Sequence, residues 1–246
     1  MSMLFISPPF GNYIRLPGCI SIKGSFTLRA RSGLLRQIGR TLRYIPKYKG
    51  WVNCIGLKNK GIDWAVRDWH LGGSASAFIY SIAITQCNEI PQLLEKIPDS
   101  MNIELNISCP NVKKDSLDAL ASYSLSQFLH PNRHWCIVKL SPLTTLSQID
   151  HYYAMGFRQF HCCNTLPVPE GGLSGIAIQK YNRPMIQYIR EKYPECIVIA
   201  GGGIIDPQSA ASFLIDGGAN HVSVSTLCFT PWKLFHLWKW MQQQEK

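Results

Sequence analysis

Residues 104–112 carry a cysteine and two carboxamides at the point where an apolar strand becomes a loop. Asn106 lies in the strand, and Cys109 and Asn111 follow it closely. Pro110 has no backbone N–H and restricts Cys109 to extended conformations, so the thiol is expected beyond the strand and outside any helix. A buried cysteine followed by ordinary turn residues would explain this segment alone equally well. The remainder of the chain favours a catalytic interpretation.

Polar side chains recur at the ends of the other predicted strands. Two lysines, Lys23 and Lys139, end apolar runs, and Gly24 follows the first of them. Carboxamides offer a donor and an acceptor side by side, which suits a flat polar ligand such as a pyrimidine. The strand ends lack the paired acids that glycoside hydrolysis or two-metal chemistry needs. The further strand-end residues are Asn53, Asn59, Asn164 and Thr165.

Two glycine-rich segments in the second half predict an anion site. Residues 171–175 and 201–203 are each expected to open a loop, the latter directly after a strand, and Ser225 and Thr226 follow the last strand. Backbone N–H groups of such loops bind phosphate, commonly after the seventh and eighth strands of a barrel. Neither segment fits a P-loop or a dinucleotide-binding fingerprint. A bound phosphorylated cofactor is therefore expected to perform the chemistry, and flavin mononucleotide (FMN) fits that description.

The elements that must position these residues alternate between strands and helices. Continuously apolar strands separated by helices predict a parallel sheet covered by helices, and about eight such units in this length favour a single (β/α)8 barrel domain over 1–246. Helix starts are indicated at Asp115-Ser116, Ser147 and Asp206-Pro207, and helix ends at Gly156 and Gly217-Gly218. Strands are predicted at 19–23, 77–84, 102–107, 136–140, 159–163, 196–200 and 221–224, and helices at 88–97, 116–129, 147–155, 178–192, 207–216 and 231–243.

Composition narrows the class of protein. The 246 residues are 46% hydrophobic and 16% charged, enough to bury a large core. Nine cysteines without a C-x-x-C pair predict that the protein lies in a reducing, cytoplasmic compartment. The cysteines and histidines do not have the spacing of zinc ligands, so no metal site is predicted. The first residues lack the charged region of a signal peptide, and no stretch has the length to span a bilayer.

The net charge of +10 comes largely from one region. Lysine and arginine residues concentrate between residues 29 and 60, where a solvated loop and helix face is the simpler interpretation. Contact with a polyanion or a membrane surface is the alternative.

The segments that carry the candidate site residues resemble those of dihydroorotate dehydrogenase. They occur in the same order as in that family and cover nearly the whole chain. The cysteine is typical of class 1 enzymes, since class 2 enzymes carry serine there, and the Lys-Gly and Gly-Gly-Leu-Ser-Gly segments resemble the class 1B catalytic subunit, which works beside an iron-sulfur flavoprotein. The segments are Lys-Gly-Ser-Phe-Thr-Leu-Arg-Ala-Arg-Ser-Gly from Lys23, Asn-Cys-Ile-Gly-Leu-Lys-Asn-Lys-Gly from Asn53, Asn-Ile-Ser-Cys-Pro-Asn-Val from Asn106, Val-Lys-Leu from Val138, Asn-Thr-Leu from Asn164, Gly-Gly-Leu-Ser-Gly from Gly171 and Gly-Gly-Gly-Ile from Gly201.

The resemblance implies FMN-dependent oxidation of dihydroorotate to orotate in pyrimidine synthesis. Cys109 would remove the C5 proton, for which an ordinary thiol pKa of about 8.5 is suitable, and Lys23 and Lys139 would complete the catalytic set. The implied cofactor residues are Ser7, Lys23, Gly24, Ser81, Asn106, Lys139, Cys163, Gly175, Gly202, Gly203, Ser225 and Thr226. The implied substrate residues are Lys23, Asn53, Cys54, Ile55, Gly56, Leu57, Asn106, Asn111, Asn164 and Thr165.

The chain departs from the family pattern in ways that affect flavin affinity and partner contacts. Ser81 stands where class 1B usually has asparagine, Cys163 where it has an aliphatic residue, and only 166–170 separate Thr165 from Gly171. The expected partners are the small-molecule substrate, a second copy in a homodimer and the iron-sulfur subunit, without nucleic acid. The alternatives are a tRNA-dihydrouridine synthase-like flavoprotein and a flavin-free barrel that acts as a binding module.

Overall fold

The computed structural model describes residues 2–72, 78–107 and 125–244. Within them, eight parallel strands close into a barrel in the order β1-β12-β11-β8-β7-β6-β5-β2. Each barrel strand therefore lies beside the next barrel strand along the chain, and the last one lies beside the first. The predicted (β/α)8 barrel is therefore confirmed. The described strands are β1 Leu4–Ile6, β2 Cys19–Phe26, β3 Arg43–Ile45, β4 Gly50–Asn53, β5 Phe78–Ala83, β6 Ile103–Asn106, β7 Cys136–Leu140, β8 Gln159–Cys162, β9 Leu166–Val168, β10 Gly171–Gly175, β11 Ile197–Gly201 and β12 His221–Val224.

Helices cover the outside of the barrel. Apolar side chains of strands and helices meet there, as Phe160 of β8 and Ile186 of a covering helix show, both fully buried. Each such side chain contributes roughly 1.5–3 kcal/mol through its removal from water. The described α-helices are α1 Leu34–Thr41, α2 Ile62–Leu71, α3 Ile90–Lys96, α4 Leu146–Ala154, α5 Gln179–Lys192, α6 Pro207–Ala211 and α7 Pro231–Gln243.

The helix-start signals are only partly confirmed. Asp206 caps α6 by accepting from the Ser209 N–H, as predicted, whereas α4 is capped by Thr145 and not by Ser147. The sequence prediction missed α1 and α2, because each begins after a glycine at positive φ, without a side-chain cap. The predicted helix 116–129 lies largely outside the described residues, and 125–128 form a 3-10 turn.

The first barrel strand was also missed, since Leu4–Ile6 spans three residues and shows no periodic pattern. Its pairing with both β2 and β12 closes the barrel. Pairing with two neighbouring strands thus stabilises a strand that its own sequence predicts only weakly.

A second sheet lies beside the barrel, in the antiparallel order β3-β4-β10-β9. The prediction of a glycine loop at 171–175 is wrong, because these residues form β10, which pairs with β4 and places Gly172 opposite Asn53. A side chain at Gly172 would come within 2.7 Å of the Thr165 Oγ1 atom, so glycine is needed for this close approach. The pairing brings Asn53 from a distant part of the chain to the barrel rim.

Candidate active site

Two adjoining cavities lie where the barrel strands end. The first cavity has a volume of about 410 Å³ and reaches the loops after β11 and β12. The second cavity, of about 400 Å³, lies toward β2 and β6. Chemistry in such barrels is located at this end of the strands. The residues that line both cavities are Pro8, Pro9, Tyr13, Leu34, Asn53, Ile55, Lys139, Asn164 and Thr165.

The structure brings most of the predicted cofactor residues to the first cavity and most of the predicted substrate residues to the second. Those in the first cavity are Ser7, Lys139, Cys163, Gly175, Gly202, Gly203, Ser225 and Thr226. The substrate residues in the second are Lys23, Asn53, Ile55, Leu57, Asn106, Asn164 and Thr165. Gly24, which was predicted for the cofactor alone, also lines the second cavity.

Three of the predicted site residues that the structure describes line neither cavity. Cys54 lines neither one and directs its thiol to the Glu170 carbonyl at 3.1 Å. Gly56 also lines neither, and Ser81 is fully buried beneath the rim. Cys109 and Asn111 lie outside the described residues.

Glu104 is a buried acid that sequence reasoning missed, although a lone charge inside an otherwise apolar strand was an available signal. It lies two residues before Asn106 on the same face of β6. Its carboxylate accepts from the Ser81 hydroxyl at 2.7 Å, the Lys139 ammonium at 3.3 Å and His161 Nδ1 at 2.6 Å. Burial raises the pKa of Glu104, but its interactions with Lys139 and His161 and the hydrogen bond from Ser81 outweigh this effect and lower the pKa to about 2. The carboxylate is therefore ionised at neutral pH.

A line of hydrogen bonds joins this carboxylate to the second cavity. The Asn164 side-chain N–H donates to the Asn106 carbonyl at 2.9 Å, and the Asn106 N–H donates to the Ser25 hydroxyl at 2.9 Å. Because Ser81 uses its only proton on Glu104, Ser25 must donate to Ser81 across their 3.1 Å contact. The anion thus fixes which way each amide faces.

Lys23 enters the second cavity from β2 with its own acid. Its Nζ lies 2.5 Å from Asp68 Oδ2, and Tyr80 donates to the same oxygen at 2.9 Å. Burial, followed by this hydrogen bond to Asp68, raises the pKa of Tyr80, which therefore stays protonated and remains a donor. Asp68 is the only carboxylate among the described residues of this cavity, which also holds Arg15, Lys58 and Lys60. The cavity is consequently positive and suited to an anionic ligand.

The far end of the first cavity fits a phosphate. Gly202 and Gly203 have φ of 86° and 84°, and their backbone N–H groups donate to no acceptor within the described part of the chain. Ser225 and Thr226 border the same end. At the other end the buried Lys139 supplies a positive charge. These features fit FMN, whose phosphate would lie at the glycines and whose ring would lie near Lys139.

The barrel and its two adjoining cavities fit the class of flavin-dependent (β/α)8-barrel enzymes that bind a flat, anionic substrate. A family model described as dihydroorotate dehydrogenase matches residues 17–237. The chain belongs to the dihydroorotate dehydrogenase family, so the predicted resemblance, enzyme class and FMN cofactor are confirmed.

Individual relatives agree with this assignment. The dihydroorotate dehydrogenase B (NAD(+)) catalytic subunit of Geotalea uraniireducens is 29% identical over 89% of this chain and 79% of its own length. The corresponding subunit of Geobacter sulfurreducens is 30% identical with the same coverage. The crystal structure of DHODH from Eimeria tenella in complex with ferulenol, at 18% identity, superposes with a TM-score of 0.69 over 92% of this chain and 76% of that one, which shows a shared fold.

In the described part of the chain, no helix has the length and apolar character that crossing a membrane requires.

Proposed function

We propose that this chain oxidises dihydroorotate to orotate in pyrimidine biosynthesis, with FMN in the first cavity and substrate in the second. The observation that carries the proposal is the wall common to both cavities, in which Lys139, Asn53 and Asn164 face both sites. A flavin ring and a substrate ring must be adjacent for hydride transfer, and this common wall supports that arrangement.

The chain's own residues would hold the substrate by its polar edges. The Asn106 and Asn164 amides have fixed orientations and retain N–H and C=O groups for a pyrimidine ring. The positive residues of the second cavity would attract the substrate carboxylate. Lys23, held by Asp68, would place its ammonium beside that ligand.

Cys109 would act as the base. It follows Asn106, the last residue of β6, by three positions in the sequence, and Asn106 lines the second cavity. It would take the C5 proton of dihydroorotate as thiolate and become a thiol, while the C6 hydride and its electron pair leave the ring. FMN, when bound, supplies the acceptor for that hydride. Lys139 would stabilise the negative charge that the cofactor gains.

The test is the visible spectrum of the purified protein during anaerobic addition of dihydroorotate. We expect bleaching of the flavin band, lost in Cys109→Ala and kept in Cys87→Ala, a control at a residue that lines neither cavity. An oxidised spectrum that does not change in the wild type would refute the proposal.

A second subunit is the partner that we propose, because the relatives are described as catalytic subunits of NAD(+)-dependent enzymes. The chain alone should then reduce no NAD⁺, and adding a class 1B iron-sulfur flavoprotein subunit should permit this. NAD⁺ reduction by the isolated chain, or rapid turnover with fumarate or quinone, would contradict it. The homodimer and the cytoplasmic location stay predictions; buried free thiols at Cys136, Cys162 and Cys196 agree with a reducing compartment.

A further inference from the structure

His161 lies inside the barrel, and the residues around it determine which of its ring nitrogens carries a proton. Its Nδ1 is 2.6 Å from Glu104 Oε2. Since an ionised carboxylate can only accept hydrogen bonds, Nδ1 must carry the donated proton. The ring is 1% exposed, and burial lowers the pKa of His161, while Lys139 already balances the Glu104 charge. At neutral pH the ring is therefore neutral, and Nε2 is an acceptor.

The acceptor nitrogen faces space that glycine leaves open. A Cβ atom at Gly201 would come within 2.5 Å of His161 Nε2, and both residues line the first cavity. No group of the described chain donates a hydrogen bond to Nε2. An acceptor at the wall of a cavity is stabilised when a ligand in that cavity supplies a donor.

The position of His161 in the barrel indicates which part of the ligand would supply that donor. Its strand β8 lies between β7, which carries Lys139, and β11, which leads into Gly202 and Gly203. The segment of FMN between the ring and the phosphate is the ribityl chain, whose hydroxyl groups are donors.

We propose that His161 is a cofactor-binding residue whose Nε2 accepts a hydrogen bond from a ribityl hydroxyl, with Glu104 as the positioning residue that fixes its tautomer. This inference rests on the proposed function, because it requires FMN in the first cavity. It assigns a role to a histidine that neither the sequence motifs nor the family resemblance singled out.

The test is FMN affinity, measured by flavin fluorescence quenching on apoprotein. His161→Asn keeps a side-chain N–H near the position of Nδ1 for Glu104 but lacks Nε2, and His161→Gln places an amide oxygen near the position of Nε2. We expect the Asn variant to bind FMN about fivefold more weakly and the Gln variant to recover part of that loss. Circular dichroism and the melting temperature check that both variants fold.

Ligand analogues separate a hydrogen bond from a merely structural effect. The 2′-, 3′- and 4′-deoxy forms of FMN each lack one ribityl hydroxyl. Wild type should lose about fivefold in affinity for one analogue, and His161→Asn should lose nothing further for that same analogue. Equal losses in both proteins for every analogue would overturn the inference while leaving the proposed function intact.

Two further outcomes cover the remaining cases. If His161→Asn does not fold, the wild-type titrations decide, since unchanged affinity for all three analogues overturns the inference. If wild type binds no FMN at all, the proposed function fails, and the inference fails with it. Imidazole ¹⁵N spectra of the wild type check the tautomer directly and should show protonated Nδ1 and unprotonated Nε2.

Discussion

Asn164 donates its side-chain N–H to the side-chain carbonyl of Asn106 across 2.9 Å, although 58 positions separate the two residues. This hydrogen bond is the outer end of the line that runs through Ser25 and Ser81 to Glu104. The buried carboxylate thereby determines how two substrate-site amides present their polar atoms.

Ser25→Ala should weaken substrate recognition. The substitution removes the acceptor of the Asn106 N–H, so that the amide loses its fixed orientation. We expect KM for dihydroorotate to rise about fivefold, the effect of roughly 1 kcal/mol, with a smaller change in kcat. Steady-state kinetics check this, with Ser32→Ala, an exposed serine that lines neither cavity, as control. An unchanged KM would show that the amides hold their orientation without Ser25.

Gly202→Ala should impair FMN binding. Gly202 has φ of 86°, and a Cβ atom there would lie 2.9 Å from Ile178 Cγ2. The left-handed backbone costs a non-glycine residue roughly 1–2 kcal/mol, so the alanine variant should leave this conformation when FMN is absent. Binding must then restore the conformation, and we expect FMN affinity to fall about tenfold.

The matched control is Gly39→Ala, because a Cβ atom at Gly39 meets nothing within 4 Å. Titration of both apoproteins with FMN makes the comparison. Equal affinity in the two variants would argue against a phosphate site at Gly202.

Glu104→Gln should change how stability depends on pH. The folded-state pKa of Glu104, about 2, lies below the ordinary value of 4.5, so its contribution is present above about pH 4.5 and disappears as the pH falls toward 2. The variant also removes the charge that faces Lys139 and should unfold at pH 7 with roughly 3 kcal/mol less free energy.

Urea unfolding at a series of pH values measures this. The wild type and Glu104→Gln should differ most near neutrality and converge toward pH 2. A difference that stays constant over this range would exclude the ionised carboxylate as its cause.

Salt should weaken dihydroorotate binding. Arg15, Lys58 and Lys60 line the second cavity beside Lys23, so that added salt screens their attraction for an anionic substrate. We expect KM to rise with sodium chloride, and Lys60→Gln to raise KM at low salt and flatten the dependence. Lys180→Gln, outside both cavities, should behave as wild type. A KM independent of salt would contradict the electrostatic role of this group.

The sequence by itself determined the repeating strand and helix units, most of the polar residues at the strand ends, and the family. These features are local: an apolar run ending in Lys139, or Asn164 directly after a strand, can be recognised without knowledge of what lies beside it. The helices α4, α5 and α7 were predicted to within one residue at each end, because their apolar periodicity and termini are encoded in neighbouring positions.

Tertiary structure alone decided the contacts between distant segments. Leu4–Ile6 is a strand because β2 and β12 pair with it, and 171–175 is a strand because β4 does. Glu104 and His161, 57 positions apart, have meaning only once the barrel closes and places both side chains in its interior. Hydrogen-bond partners and desolvation depend on what surrounds a group, and that environment exists only after the chain has folded.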